Sequence, residues 1–103
     1  MKFGLSENDI DQIKSVFGKH KEIEKVIIYG SRAKGNFHPS SDIDLTLIGP
    51  NLSLSLQLHI ENELDDLLLP YKFDISIFHQ ISNPDLIAHI ERVGIKFLDN
   101  GTQ

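Results

Sequence analysis

Apolar residues recur along the chain with two periods, one helical and one alternating. Ile10, Ile13, Val16 and Phe17 fall at helical spacing behind Ser6, whose hydroxyl suits an N-cap, while Asp9 favours the positive end of the helix dipole. The β-branched run Val26-Ile27-Ile28-Tyr29 then reads as a strand that stops at Gly30. A second strand is predicted over 42–48, up to the turn Gly49-Pro50-Asn51. Residues 52–69 fit both periods, because Leu52, Leu54, Leu56, Leu58 and Ile60 alternate whereas Leu56, Ile60, Leu64, Leu67 and Leu68 share a helical stripe. The length of the segment, and the acids Glu61, Glu63, Asp65 and Asp66 on what becomes a wet face, decide for a helix from about Ser53 that Pro70 ends. Leu54 and Leu58 are then stranded off the core stripe. A third strand over 72–78, a last helix opened by Ser82-Asn83-Pro84 and closed by Gly94, and an edge strand over 95–98 complete the pattern. The reading is one α+β domain over residues 1–103, α/β-like in its alternation, with a small mixed sheet of three to four strands flanked by helices.

Composition limits what such a domain can do. A chain of 103 residues buries roughly 60 to 65% of its unfolded surface, enough for a modest core but not for a deep, closed substrate chamber. Ten Lys and Arg against fifteen Asp and Glu give a net charge of −5, the wrong sign for unaided binding to a nucleic-acid backbone. There is no cysteine, hence no disulfide and no thiolate zinc site. His20, His38, His59, His79 and His89 show no zinc-like spacing and read as surface or structural residues, and Lys14, Lys19, Lys21 and Lys25 read as a solvated face. No run approaches the roughly 20 apolar residues of a membrane span, and no signal-like stretch opens the chain, so a cytoplasmic location is expected.

The chemistry concentrates between 30 and 74. Asp42 and Asp44 are two apart on a predicted strand and leave the same face, while Ile43 and Leu45 point to the other. On the third strand, Asp74 shares a face with Ser76 and Phe78, opposite Ile75 and Ile77. If these strands are neighbours in register, three carboxylates meet, and like charges crowded together call for a divalent cation. Carboxylate oxygens suit a hard ion such as Mg²⁺, which usually completes its shell with substrate phosphates. Gly30-Ser31 supplies a phosphate side: glycine allows close approach to an anion, and Ser31 starts a helical turn with free amides. Arg32 and Lys34 add positive charge nearby, although exposed basic residues in loops are commonly only solvated, and Ser41 can hydrogen-bond within the turn to orient the acid pair. A Gly-Ser pair alone is ordinarily just a turn. Its separation from Asp-x-Asp by ten residues is expected by chance, over all possible placements in this chain, with a probability on the order of a few in a thousand.

Tyr29-Gly30-Ser31-Arg32-Ala33-Lys34-Gly35, followed by Ser41-Asp42-Ile43-Asp44-Leu45, resembles the signature of the polymerase-β-type nucleotidyltransferase superfamily, in its minimal (MNT) branch. Asp74 matches the family's third carboxylate, and the ending Asn83-Pro84-Asp85-Leu86-Ile87 through Gly94-Ile95-Lys96-Phe97-Leu98 is similar too, so the resemblance covers nearly the whole chain. It implies that Asp42, Asp44 and Asp74 hold two Mg²⁺ ions and that Gly30 and Ser31 grip the triphosphate of ATP or another NTP. A hydroxyl then attacks the α-phosphate and pyrophosphate leaves, with Asp74 helping to deprotonate the hydroxyl. Arg32, Lys34 and Ser41 take the lesser phosphate-binding roles. So small a domain offers little wall for an acceptor, and in the minimal branch the implied partner is a helical HEPN-type protein, often the toxin to this antitoxin; homo- or hetero-oligomers both fit. Leu54 and Leu58 are candidates for that contact. Two other readings stand beside adenylyl transfer to the partner. One is a non-catalytic module that neutralises a HEPN ribonuclease by docking; the other is a transferase acting on a small molecule such as an antibiotic.

Overall fold

The computed structural model describes residues 1–101. Its elements in order are α1 (Glu7–Gly18), β1 (Lys25–Tyr29), α2 (Gly30–Lys34), β2 (Ile43–Ile48), α3 (Leu54–Asp65), β3 (Phe73–Ile77), a 3₁₀ turn (Phe78–Gln80), α4 (Pro84–Val93) and β4 (Ile95–Asp99). Hydroxyl and amide caps set the helix starts. Ser6 Oγ accepts the Asp9 amide at 3.1 Å, Ser53 Oγ the Leu56 amide at 3.2 Å, and Asn83 Oδ1 the Asp85 amide at 2.9 Å, with Pro84 in the first turn of α4. α3 ends earlier than the apolar stripe predicts. After Asp65 the amides of Leu67 and Leu68 turn back to the carbonyls three residues earlier, and Leu68 adopts a left-handed φ of 57°, which throws its side chain outward. Leu67 and Leu69 still pack against the core.

The sheet runs β3-β2-β1-β4, antiparallel except for the parallel pair β2 and β3. Alternation gives each strand two faces. Val26 and Ile28, Ile43, Leu45 and Leu47, and Ile75 and Ile77 form one buried face together with Ile13, Phe17, Ile60 and Leu64 of α1 and α3. Each such side chain contributes about 1.5–3 kcal/mol of burial. The edge at β3 is partly covered, since Gln57 on α3 donates to the Ile75 carbonyl at 3.0 Å. α4 takes the opposite face, where its His89 meets Tyr29 edge-on at 6.1 Å between ring centroids. Leu54 and Leu58 remain 62% and 51% exposed, off the core stripe as their positions predict. His20 and His59, which read as surface or structural residues in the sequence, are brought together with Glu63 where α1 ends against α3. Among the described residues, no helix is long and apolar enough to cross a membrane.

Candidate functional site

Strand register builds the site. Tyr29 pairs with Asp44 across β1 and β2, and Asp44 pairs with Asp74 across β2 and β3, so the three stand abreast in one row on the face away from Leu45 and Ile75. The row behind is polar as well, with Ser76 Oγ donating to Thr46 Oγ1 at 2.9 Å. Asp42 sits one residue before β2, exposed at the mouth, and Asp74 is exposed on the edge strand, whereas Asp44 is only partly accessible between them.

The electrostatics follow from that crowding. Burial first, then the charge of Asp74, then that of Asp42, push the Asp44 carboxyl up to about 6 from its ordinary 3.8, against a smaller opposing pull from Arg32. The Tyr29 phenol is also raised, chiefly by burial, with Asp74 and Asp44 adding to the effect against a lowering contact with Ser76. Three carboxylate side chains of one sign therefore share a patch whose central member is poorly solvated. Carboxylate oxygens are the donors that a hard divalent cation of the Mg²⁺ type takes, and these side chains could hold one.

Gly30 closes the other side of the row. Its φ is +75°, and a Cβ there would run into Asp44 Oδ2, so only glycine lets β1 turn into α2 at this distance from the carboxylate. Ser31 follows, half-buried in the first turn of α2, and Lys34 is exposed at the far end of that helix. The strand register and the turn place Asp44, Asp74 and Gly30 side by side, with Asp42 at the mouth and Ser31 next along α2.

Arg32 departs from the expectation of a phosphate ligand. It is 2% exposed, its Nε and Nη2 donate to the Ser41 carbonyl at 3.1 and 2.9 Å, Nη2 to Pro39 at 3.2 Å, and Nη1 to Phe3 at 2.9 Å. The guanidinium also lies 5.4 Å from the Phe37 ring centroid and 5.2 Å from that of Tyr71. Its donors hold the loop that delivers Asp42. Ser41 makes a hydrogen bond within the turn, its Oγ accepting the His38 amide at 2.8 Å. Tyr29 was not legible as a site residue from composition, although alternation from the buried Ile28 does place it on the carboxylate face.

Comparisons with known proteins bear on this arrangement. The family model described as polymerase beta, nucleotidyltransferase matches residues 11–103. Among solved structures, a chain of a toxin–antitoxin complex with AMP-PNP is 21% identical with a TM-score of 0.71, over 96% of this chain and 76% of that one. A complex of tri-AMPylated Shewanella oneidensis HEPN toxin with MNT antitoxin gives 12% identity and a TM-score of 0.68, over 92% and 73%. The toxin–antitoxin complex MntA-HepT gives 12% and 0.67, over 91% and 73%. At these identities the likeness establishes a common fold. No curated protein sequence matches the chain.

Proposed function

Because the chain belongs to the polymerase beta nucleotidyltransferase family, we propose that it transfers a nucleoside monophosphate, AMP from ATP, to a hydroxyl on a helical HEPN-type partner, and that it serves in the cytoplasm as the antitoxin to that toxin. The observation that carries this reading is the row of Asp44 and Asp74 in register, with Asp42 at its mouth and Gly30 pressed against Asp44. Asp42, Asp44 and Asp74 are the residues that would hold Mg²⁺, two ions by resemblance to the family, and when bound these would supply charge neutralisation for the attacking and leaving oxygens. Gly30 and Ser31 position the triphosphate beside the acids, and Lys34, exposed at the end of α2, neutralises part of its charge. Asp74 is open to solvent on the edge strand, where an acceptor hydroxyl can reach it and give up its proton. AMP-PNP in one structurally similar complex and an AMPylated HEPN toxin in another support the choice of nucleotide and partner.

The test is transfer of label from α-³²P-ATP, with Mg²⁺, to the proposed HEPN-type partner. Asp44→Asn is expected to cut the rate at least about 10²-fold. Exposed Leu54 and Leu58 favour a second reading, neutralisation by docking alone. Asp42→Asn with Asp44→Asn separates the two: neutralisation lost together with transfer supports catalysis, and neutralisation retained without transfer supports docking.

A further inference from the structure

The Mg²⁺-type carboxylates are not the only metal-ligating side chains that the fold gathers. His59 and Glu63 lie one turn apart on α3, on a face fixed by the buried neighbours Ile60 and Leu64. His20 comes from the turn after α1, where its amide donates to the Phe17 carbonyl at 3.2 Å and its carbonyl accepts the Ile23 amide at 3.1 Å. The Nε2 atoms of both imidazoles converge on the same oxygen, Glu63 Oε1, at 2.5 Å from His20 and 3.8 Å from His59. One donor atom from each of the three residues falls within 4.8 Å of the others. The second approach is too long for a hydrogen bond, and that oxygen already has His20 as a partner.

We propose that His20, His59 and Glu63 form a binding site for a borderline divalent cation of the Zn²⁺ class, which clamps the end of α1 to α3. Two imidazoles and one carboxylate, with water in the remaining position, are a donor set that zinc accepts. Imidazole nitrogen also selects against Mg²⁺, so the site does not duplicate the carboxylate row on the opposite face of the sheet. Lys19 Nζ sits on the other oxygen, Oε2, at 2.8 Å, so the ion enters at Oε1 and takes the place of the direct His20 contact there. His59 is 63% exposed and Lys19 60%, which opens an entry path and lets the lysine swing away from the added charge.

The experiment is calorimetric titration of the tag-free full chain with Zn²⁺, in saturating Mg²⁺ to occupy the carboxylates, with the visible bands of Co²⁺ as a report on coordination. Wild type is expected to bind one Zn²⁺ per chain. His59→Ala, which removes an exposed side chain and leaves the core untouched, and Glu63→Gln, which keeps an acceptor for His20, should each weaken binding by about 100-fold or more. Asp42→Asn with Asp44→Asn should leave it unchanged. Zinc binding that survives in His59→Ala and Glu63→Gln, or a wild-type protein that takes up no zinc at micromolar concentration, would overturn the site.

Discussion

The two faces of the sheet are made by alternate residues of the same strands and obey opposite rules. Ile43, Leu45 and Leu47 are fully buried among apolar neighbours and stabilise the fold. Asp44 and Thr46, interleaved with them, face Asp74 and Ser76, and there a poorly solvated carboxylate is kept beside two others at a cost to stability. The apolar face is overdetermined by many contacts, whereas the polar face holds its geometry because the apolar one is rigid. A site that opposes folding is placed where the backbone is best supported.

The sharpest way to break this contrast is to exchange damage between the faces. Leu45→Ala should cost about 2–5 kcal/mol in denaturant unfolding by opening a cavity behind the acids. Gly30→Ala, at positive φ and against Asp44, should cost about 1–3 kcal/mol and also displace the carboxylate, so that transfer falls by more than the loss of folded protein explains. A smaller effect comes with the opposite sign. Asp44 has a raised pKa in the folded chain, so as pH rises from about 4 through about 6 the metal-free fold loses stability and the penalty is complete above that window. Asp44→Asn should therefore unfold at higher denaturant than metal-free wild type at pH 7.5, by about 1 kcal/mol after discounting for partial solvent access, and the gain should vanish below pH 4. Guanidinium melts across that range would measure it. The smallest effect is expected off both faces: Leu58→Lys, on an exposed part of α3, should change stability by under about 0.5 kcal/mol while weakening any partner that docks there. A pull-down with the proposed HEPN-type partner separates the two readouts.

Much of this was readable in the chain, for a physical reason. The alternation of Ile43, Leu45 and Leu47 around Asp44 fixes which way the carboxylate points, and Gly30-Ser31 marks a place where the backbone must turn tightly. Local chemistry reports local geometry. The pairing of Asp44 with Asp74 depends on register between strands thirty positions apart, which the motif could suggest but not impose. Arg32 was misleading because a cation in a loop next to a phosphate turn is ordinarily solvated, and only the fold shows Phe3, Pro39 and Ser41 closing over it. The end of α3 slipped for a related reason: the leucine stripe continues past Asp65, yet the turn before Pro70 takes Leu68 out of it. His20 and His59 are 39 positions apart (59 − 20), so no spacing rule could have joined them to Glu63.

The carbonyl of Phe3 held by Arg32 ties the first residues of the polypeptide to the loop in front of Asp42. A substitution that displaces the backbone at Phe3 is therefore expected to loosen the turn that carries the entrance acid, so damage far along the sequence from the carboxylates registers in their geometry.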